Sequence, residues 1–235
     1  MIANLTQFIH ETVNRDGVIM QGLSRNLITP RALAAYIIKT NPDKNLSLES
    51  VRTAIRRCDT DFSEIKDINK PVYGVLKDSK IHLKSGVVRV SFKKGDASLE
   101  LINRSLKTLE IYGGDTFRVI KGQNILTILV DEGNLEKVRH AFSERILDIE
   151  KDLCEISIIV PKEAYKQYGM NSVLLNEITI NKINVVSTFS CGTEMNVYVY
   201  EKDSQKTFNI LGNMLERIKN EMKLEEKKKK GRNNQ

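Results

Sequence analysis

From residue 87 onward the sequence carries one pattern twice, and only folds that accept two copies of a unit can satisfy it. Val87–Phe92 reads as a strand, and Ala97–Leu109 places Leu99, Ile102, Leu106 and Leu109 on a helical stripe. Thr116–Ile120 and Asn124–Val130, separated by Lys121-Gly122-Gln123, read as two strands, and Leu135–Phe142 as a second helix. The same order returns downstream. Cys154–Val160 is a strand, Ser172–Ile180 a helix, Asn184–Phe189 and Met195–Tyr200 strands, and Ser204 to about Met222 a helix. Val130-Asp131-Glu132 and Val199-Tyr200-Glu201 occupy matching places before each second helix. Copies over Val87–Phe142 and Cys154–Leu211, offset by about 67 to 69 residues, mark a domain duplication and exclude a solenoid. Ile146, Leu147 and Ile149, in the link 145–152, can add a fourth strand to the first copy.

The residues before the repeat read as helices. Leu5, Phe8, Ile9 and Val13 form an amphipathic stripe, which Asp16-Gly17 interrupts. Thr29 is a good N-cap ahead of Pro30, and Leu33, Ala34, Ile37 and Ile38 share one face until Asn41-Pro42-Asp43 stops the helix. Ser47 caps a third helix with Leu48, Val51, Ile55 and Cys58 on one side and Ser50, Arg52, Thr53, Arg56 and Arg57 on the other. Lys70–Lys84 then reads as two short strands joined by a turn near Asp78-Ser79, decorated with four lysines.

Charge is uneven along the chain. The net +7 divides into +1 over residues 1–68, +6 over 69–95, −4 over 96–218 and +4 over 219–235. An acidic body flanked by basic stretches suits a polyanionic partner, and equally a solvated surface. Three helices followed by a basic hairpin resemble the winged helix-turn-helix family, with Ser47–Arg57 as recognition helix and the hairpin as wing. The resemblance implies duplex DNA binding through Ser50, Arg52, Thr53, Arg56 and Arg57, with Lys77 and Lys80 on the backbone. A purely structural three-helix domain remains the other reading.

In the second copy, Ile183–Ser190, then Glu194–Asp203 and Gln205–Phe208, are similar to the second strand, third strand and second helix of the paired regulatory domains of aspartate kinases. These belong to the ACT domain family of ferredoxin-like βαββαβ modules. The resemblance implies an amino-acid effector bound where the loop after the first strand meets a helix N-terminus. Here that loop is Tyr168-Gly169-Met170-Asn171-Ser172, and Thr188 and Ser190 on the second strand are the hydroxyl residues implied to face the effector. The alternative is that Gly169 and Asn171 merely cap a helix. Lys94-Gly95-Asp96-Ala97, the matching loop of the first copy, is shorter, and one working site beside one degenerate copy is expected.

Catalytic signatures are missing from the sequence. His10, His82 and His140 lack metal-ligand spacing, and neither a GxSxG, a GxGxxG after a strand nor a GxxxxGK[ST] loop occurs. Cys58, Cys154 and Cys191 form no CxxC pair, Cys191 has no evident activating base, and Asp131 and Glu132 are expected to serve the positive end of the following helix. No metal and no cofactor are called for. The longest apolar run is the seven residues Ala32–Ile38, and Met1–Phe8 carries no basic, leader-like start, so the expected address is the cytoplasm with no membrane partner.

The sequence therefore predicts an α+β chain: a winged-helix-like domain over 1–85, ACT-like modules over 86–150 and 151–220, and a basic, disordered tail over 221–235. The expected function is non-catalytic: an amino-acid-sensing, DNA-binding transcriptional regulator that forms a homodimer or larger homo-oligomer. A regulatory or scaffold subunit that docks an enzyme without touching DNA is the alternative.

Overall fold

The computed structural model describes residues 4–63, 70–93, 103, 114–142 and 146–232. Backbone contacts divide the chain into two units, 1–72 and 73–235.

The first unit is helical: α1 (Leu5–Arg15), α2 (Gly17–Ser24), α3 (Pro30–Thr40) and α4 (Leu48–Ser63), with a single 3-10 turn at Pro42–Lys44. Its caps follow from local chemistry. Thr29 Oγ1 accepts from the Ala32 N–H at 3.2 Å, and Ser47 Oγ accepts from the Ser50 N–H at 3.2 Å. The sequence pattern missed α2, where Asp16 Oδ1 accepts from the Val18 and Ile19 N–H groups at 2.9 and 3.1 Å and restarts the helix. Ile9, Val13, Leu33, Ala34, Ile37, Val51 and Ile55 bury together as the stripes require. Leu48, expected with them, stays 38% exposed.

No hairpin follows. Lys70–Leu76 is a helix, α5, which runs across the division between the units, and residues 80–93 form one long strand, β1. The wing expected over 70–84 is thereby replaced. Val72 and Leu76, four residues apart, are both fully buried, a helical spacing that prevails over the strand propensity of the run.

The second unit continues with β2 (Phe117–Lys121), β3 (Ile125–Asp131), α6 (Leu135–Phe142), β4 (Ile146–Ile159), α7 (Met170–Ile180), β5 (Ser187–Cys191), β6 (Glu194–Tyr200) and α8 (Glu201–Arg232). The helix expected over 97–109 and the loop at 94–97 lie outside the described residues, Asn103 excepted, which is helical. The strands form one antiparallel sheet in the order β2-β3-β1-β4-β6-β5.

Two 14-residue strands, β1 and β4, are shared between the repeats. Val87–Lys93 of β1 pairs with β3, while Leu153–Ile159 of β4 pairs with β6. The other half of each strand closes the opposite copy: Lys80–Lys84 lies against Glu155–Ile159, and Ile146–Glu150 against Arg89–Phe92. Each copy thus has the strand order 2-3-1-4 of a βαββαβ module. The register shifts on either side of the Val87–Leu153 pair. Gly86 (φ +71°) and Asp152 (φ +56°), at equivalent places in the two copies, carry the left-handed backbone that such bulges need. The expected divisions at 85/86 and 150/151 fall inside these shared strands, and contacts separate the chain at 72/73 instead.

Val88, Val90 and Phe92 meet Leu126, Ile128 and Val130 under Leu135 and Val138 of α6. On the opposite face Val87, Leu129, Leu153 and Tyr198 are covered by Ile120 of β2 and Phe189 of β5, so the edges curl over the centre. The tail expected to be disordered from residue 221 instead extends α8 to Arg232. Glu and Lys are good helix formers, and Lys77 Nζ reaches Glu226 Oε1 at 3.2 Å. Among the described residues no helix is long and apolar enough to cross a membrane.

Truncating the shared centre should be costly. We expect Leu153→Ala to lower unfolding stability by about 2–5 kcal/mol, and Leu147→Ala, 55% exposed on the same strand, by under about 0.5 kcal/mol, both measured by urea denaturation.

Candidate functional site

After β4 the chain turns at Pro161, makes a 3-10 turn over Lys162–Lys166 and enters α7 through Gly169, at φ +89°. That dihedral favours glycine. Opposite, the β5–β6 turn passes through Gly192 at φ +57°, and the Val160 N–H donates to the Thr193 carbonyl at 2.8 Å, pinning turn to loop. A cavity of about 420 Å³ lies between them. Such a volume suits a small metabolite.

The positive pole of the cavity is the start of α7. Gly169, its N-cap, has no side chain to offer, and the first helical hydrogen bond runs from the Val173 N–H to the Gly169 carbonyl at 3.0 Å. The N–H groups of Met170, Asn171 and Ser172 consequently have no acceptor among the described residues, and the helix dipole adds to their pull on an anion. Gly169, Met170, Asn171, Ser172 and Ser190, all expected from sequence, line this cavity together. Tyr168 and Thr188 do not line it. Tyr168 is 70% exposed, and Thr188, on the same strand face as Ser190, lies farther from the turn. Gln167, Thr193 and Glu194 line it without having been anticipated, above a floor of Val160, Ala164, Leu174 and Met195. The sequence signal available was the Cys191-Gly192-Thr193-Glu194 turn, whose Gly implies a tight reversal.

The expected nucleic-acid residues are differently placed. Thr53, Arg56 and Arg57 are exposed on α4. Arg52 Nη1 pairs with Glu49 at 3.0 Å, and the Ser50 hydroxyl is engaged at the cap, donating to the Ser47 carbonyl at 2.9 Å. Ser50, Thr53 and Arg57 border a groove of about 350 Å³ with Leu5, Thr6, Glu49 and Ala54. Lys77 and Lys80 belong to the second unit, Lys77 in the turn after α5 and Lys80 opening β1 opposite Ile159. With no wing formed, they carry no wing contacts.

The inner face of the sheet collects a second group of titratable residues. Buried Glu155 accepts from the Tyr198 hydroxyl and from Ser157 Oγ at 3.2 Å, with Arg118 at 3.6 Å. Glu150 takes Arg89 and the Tyr200 hydroxyl. Asp131 pairs with Lys84 at 2.7 Å and accepts the Thr116 N–H at 3.1 Å, so it serves the sheet and makes no cap bond to the turn that follows. These carboxylates are occupied by cations and donors, which is the condition for keeping them buried. Burial raises the Cys154 thiol above its ordinary value, and Cys191 is exposed. Among the described residues no cluster of His, Cys, Asp or Glu has the makings of a metal site.

No family model matches the sequence, and no curated protein is detectably similar to it. Among solved structures, it is similar to the regulatory subunit of aspartate kinase from Thermus thermophilus, ligand-free, at 8% identity over 57% of this chain and 95% of that one, with a TM-score of 0.46. The regulatory subunit from Thermus flavus gives 8% identity, the same two coverages and a TM-score of 0.48. The allosteric aspartate kinase of Clostridium acetobutylicum gives 14% identity over 57% of this chain but 34% of its own, with a TM-score of 0.48. Two of these neighbours are aspartate kinase regulatory subunits and the third is a whole aspartate kinase, in line with the resemblance read in the second repeat. At such identities and scores none carries a ligand or an activity over to this chain.

Burial, followed by the hydrogen bond to Glu155, pushes the Tyr198 phenol far above its usual range. A phenol whose folded value is raised contributes stability that is complete below the unfolded value of about 10 and is lost above it. Urea midpoints should therefore fall as pH rises from about 9.5 to 11. Tyr198→Phe should flatten that fall while costing about 1–3 kcal/mol at neutral pH. Tyr200, raised mainly by its bond to Glu150, will leave a residual slope.

Proposed function

We propose that this chain is a non-catalytic regulatory protein that senses an amino acid or similar small metabolite. The observation that carries the reading is the cavity at the uncapped start of α7, where the loop after the first strand of the second repeat meets unpaired backbone donors. A ligand carboxylate suits such donors because they need an acceptor and the helix dipole favours negative charge. The ACT resemblance of the second repeat implies an effector at the same loop. The first repeat's loop at 94–97 is the degenerate counterpart in this reading. Binding regulates by linkage: the ligand shifts the protein between arrangements by at most its differential affinity for them. Among the described residues the strands β2 and β5 are the edges of the sheet, and edge strands that pair with another copy would make a homo-oligomer.

The output we assign to the helical unit is duplex DNA, favoured by the exposed Thr53, Arg56 and Arg57 on a well-capped helix. This reading proceeds without the wing. The phosphate contacts it needs come from α4, and it predicts that log affinity falls linearly with log salt. Docking to a protein is the second reading, favoured by the groove between Leu5 of α1 and Ala54 of α4.

A thermal-shift screen against the twenty L-amino acids tests the sensor. A ligand at about 100 times its dissociation constant adds about 2.7 kcal/mol, a rise of several degrees. Asn171→Asp should abolish that rise, because a carboxylate at the helix start competes with the ligand's own, while leaving the unliganded fold as stable or more so by about 0.3–1 kcal/mol. Absence of any shift across the panel would refute amino-acid sensing. For the helical unit, Arg56→Ala and Arg57→Ala should each weaken duplex binding and reduce the salt slope by about 0.9. Salt-independent binding, or none, would transfer the unit's role to protein docking.

A further inference from the structure

We infer that the cavity at the start of α7 selects amino acids with an apolar side chain, and that Glu194 is the residue that holds their ammonium group. The inference rests on the sensor reading above and narrows its ligand. Among the described residues lining the cavity, Glu194 is the one charged side chain. It opens β6 directly after the Gly192-Thr193 turn and is exposed, and its carboxylate forms no ion pair or hydrogen bond with any described residue. Glu150, Glu155 and Asp131 of the same sheet each have a cationic partner, whereas Glu194, like Asp152, has none among the described residues. Glu194 is the one of these carboxylates that borders the cavity.

The cavity is thus polarised, with backbone donors of Met170, Asn171 and Ser172 at one wall and a carboxylate at another. A zwitterion satisfies both walls. Its carboxylate meets the helix start and its ammonium meets Glu194, with Ser190 beside it on the neighbouring strand, one step along the β5–β6 register where Cys191 faces Glu194 and Ser190 faces Met195. What remains for the side chain is the floor, where Ala164, Leu174 and Met195 are almost wholly buried. Burial against such a floor favours apolar groups. Two methionines, Met170 and Met195, make it adaptable in shape, since an unbranched thioether fills irregular space.

Charged side chains fare worse for separate reasons. An acidic one would add a second anion where the single lining charge is already negative, with no cation to meet it. A basic one would compete with the ligand's own ammonium for the same carboxylate, leaving one of the two desolvated and unpaired.

Isothermal titration of the full chain decides the matter, using L-leucine, L-methionine, L-lysine, L-aspartate and 4-methyl-2-oxopentanoate, which is leucine with its ammonium carbon oxidised to a ketone. L-leucine or L-methionine should bind at least about tenfold more tightly than L-lysine or L-aspartate, and about tenfold more tightly than the oxo acid. Glu194→Gln, on an exposed turn, should remove the advantage over the oxo acid by weakening the amino acid alone. Preference for L-lysine or L-aspartate overturns the apolar assignment while leaving the sensor reading intact. An unchanged amino-acid affinity in Glu194→Gln overturns the role of that residue. Failure of every amino acid to bind, in the titration and in the full screen, overturns the sensor reading together with this one.

Discussion

The pairing of β1 with β4 is the constraint on which the rest of the second unit depends. Each strand has 14 residues and gives one half to each repeat, so neither βαββαβ module is complete without the other. A side-chain period of two makes register unforgiving: a slip of one residue would send Val88, Val90 and Phe92 to the inner face and Arg89 to the helices. The bulges beside the Val87–Leu153 pair let one strand change partners without that slip. Gly86 and Asp152 supply the left-handed residues, glycine at no steric cost and aspartate at a small one. The same register reaches the cavity. It places the end of β4 beside β6, so that Val160 can bond Thr193 and the β5–β6 turn can face the start of α7.

The duplication was legible because periodicity reports it directly. Strands over 117–121 and 125–131 and the helix over 135–142 fall within a residue of the expected bounds, each flanked by turn residues that stop it. The error over Lys70–Lys84 has a definite cause. Val72, Tyr73 and Val75 are residues of high strand propensity in a short run, and only the burial of Val72 and Leu76 shows that a period near four governs them. The tail was misjudged in the opposite way. Absence of apolar residues suggested disorder, whereas Glu and Lys sustain a helix already nucleated by Leu211, Met214, Leu215 and Ile218.

Legibility at the site divides along the same line. Gly169, Met170, Asn171 and Ser172 are contiguous, and a loop that enters a helix can be recognised locally. Ser190 came with a strand pattern, but Thr188 shares its face and still falls short of the cavity, because only the turn end of β5 approaches α7. Glu194 was out of reach. Its place beside the loop depends on the Val160–Thr193 bond and on the antiparallel pairing of β4 with β6, two contacts between segments more than thirty residues apart in the chain.

The proposed sensing needs a physical route from cavity to helical unit, and α8 touches the segments at both ends of the described portion of one. Glu177 of α7 pairs with Arg217 of α8 at 3.3 Å, and Lys206 Nζ of α8 donates to the Asn181 carbonyl at the end of α7 at 2.9 Å. One turn and more beyond Arg217, Met222 lies about 4.0 Å from where a Cβ on Gly74 would stand, and Glu226 pairs with Lys77. The helix that grips α7 along one stretch therefore grips residues 73–77 along another, and those residues continue α5 directly from the helical unit. The exposed Lys77–Glu226 pair contributes little energy by itself. At Gly74 an added Cβ would meet the Met222 methyl at ordinary van der Waals distance, so the approach of α8 does not depend on glycine there. Regulation by the proposed route requires that a ligand at the start of α7 displace α8, and the packing of α7 on α8, these two polar contacts included, is where such a displacement has to be carried.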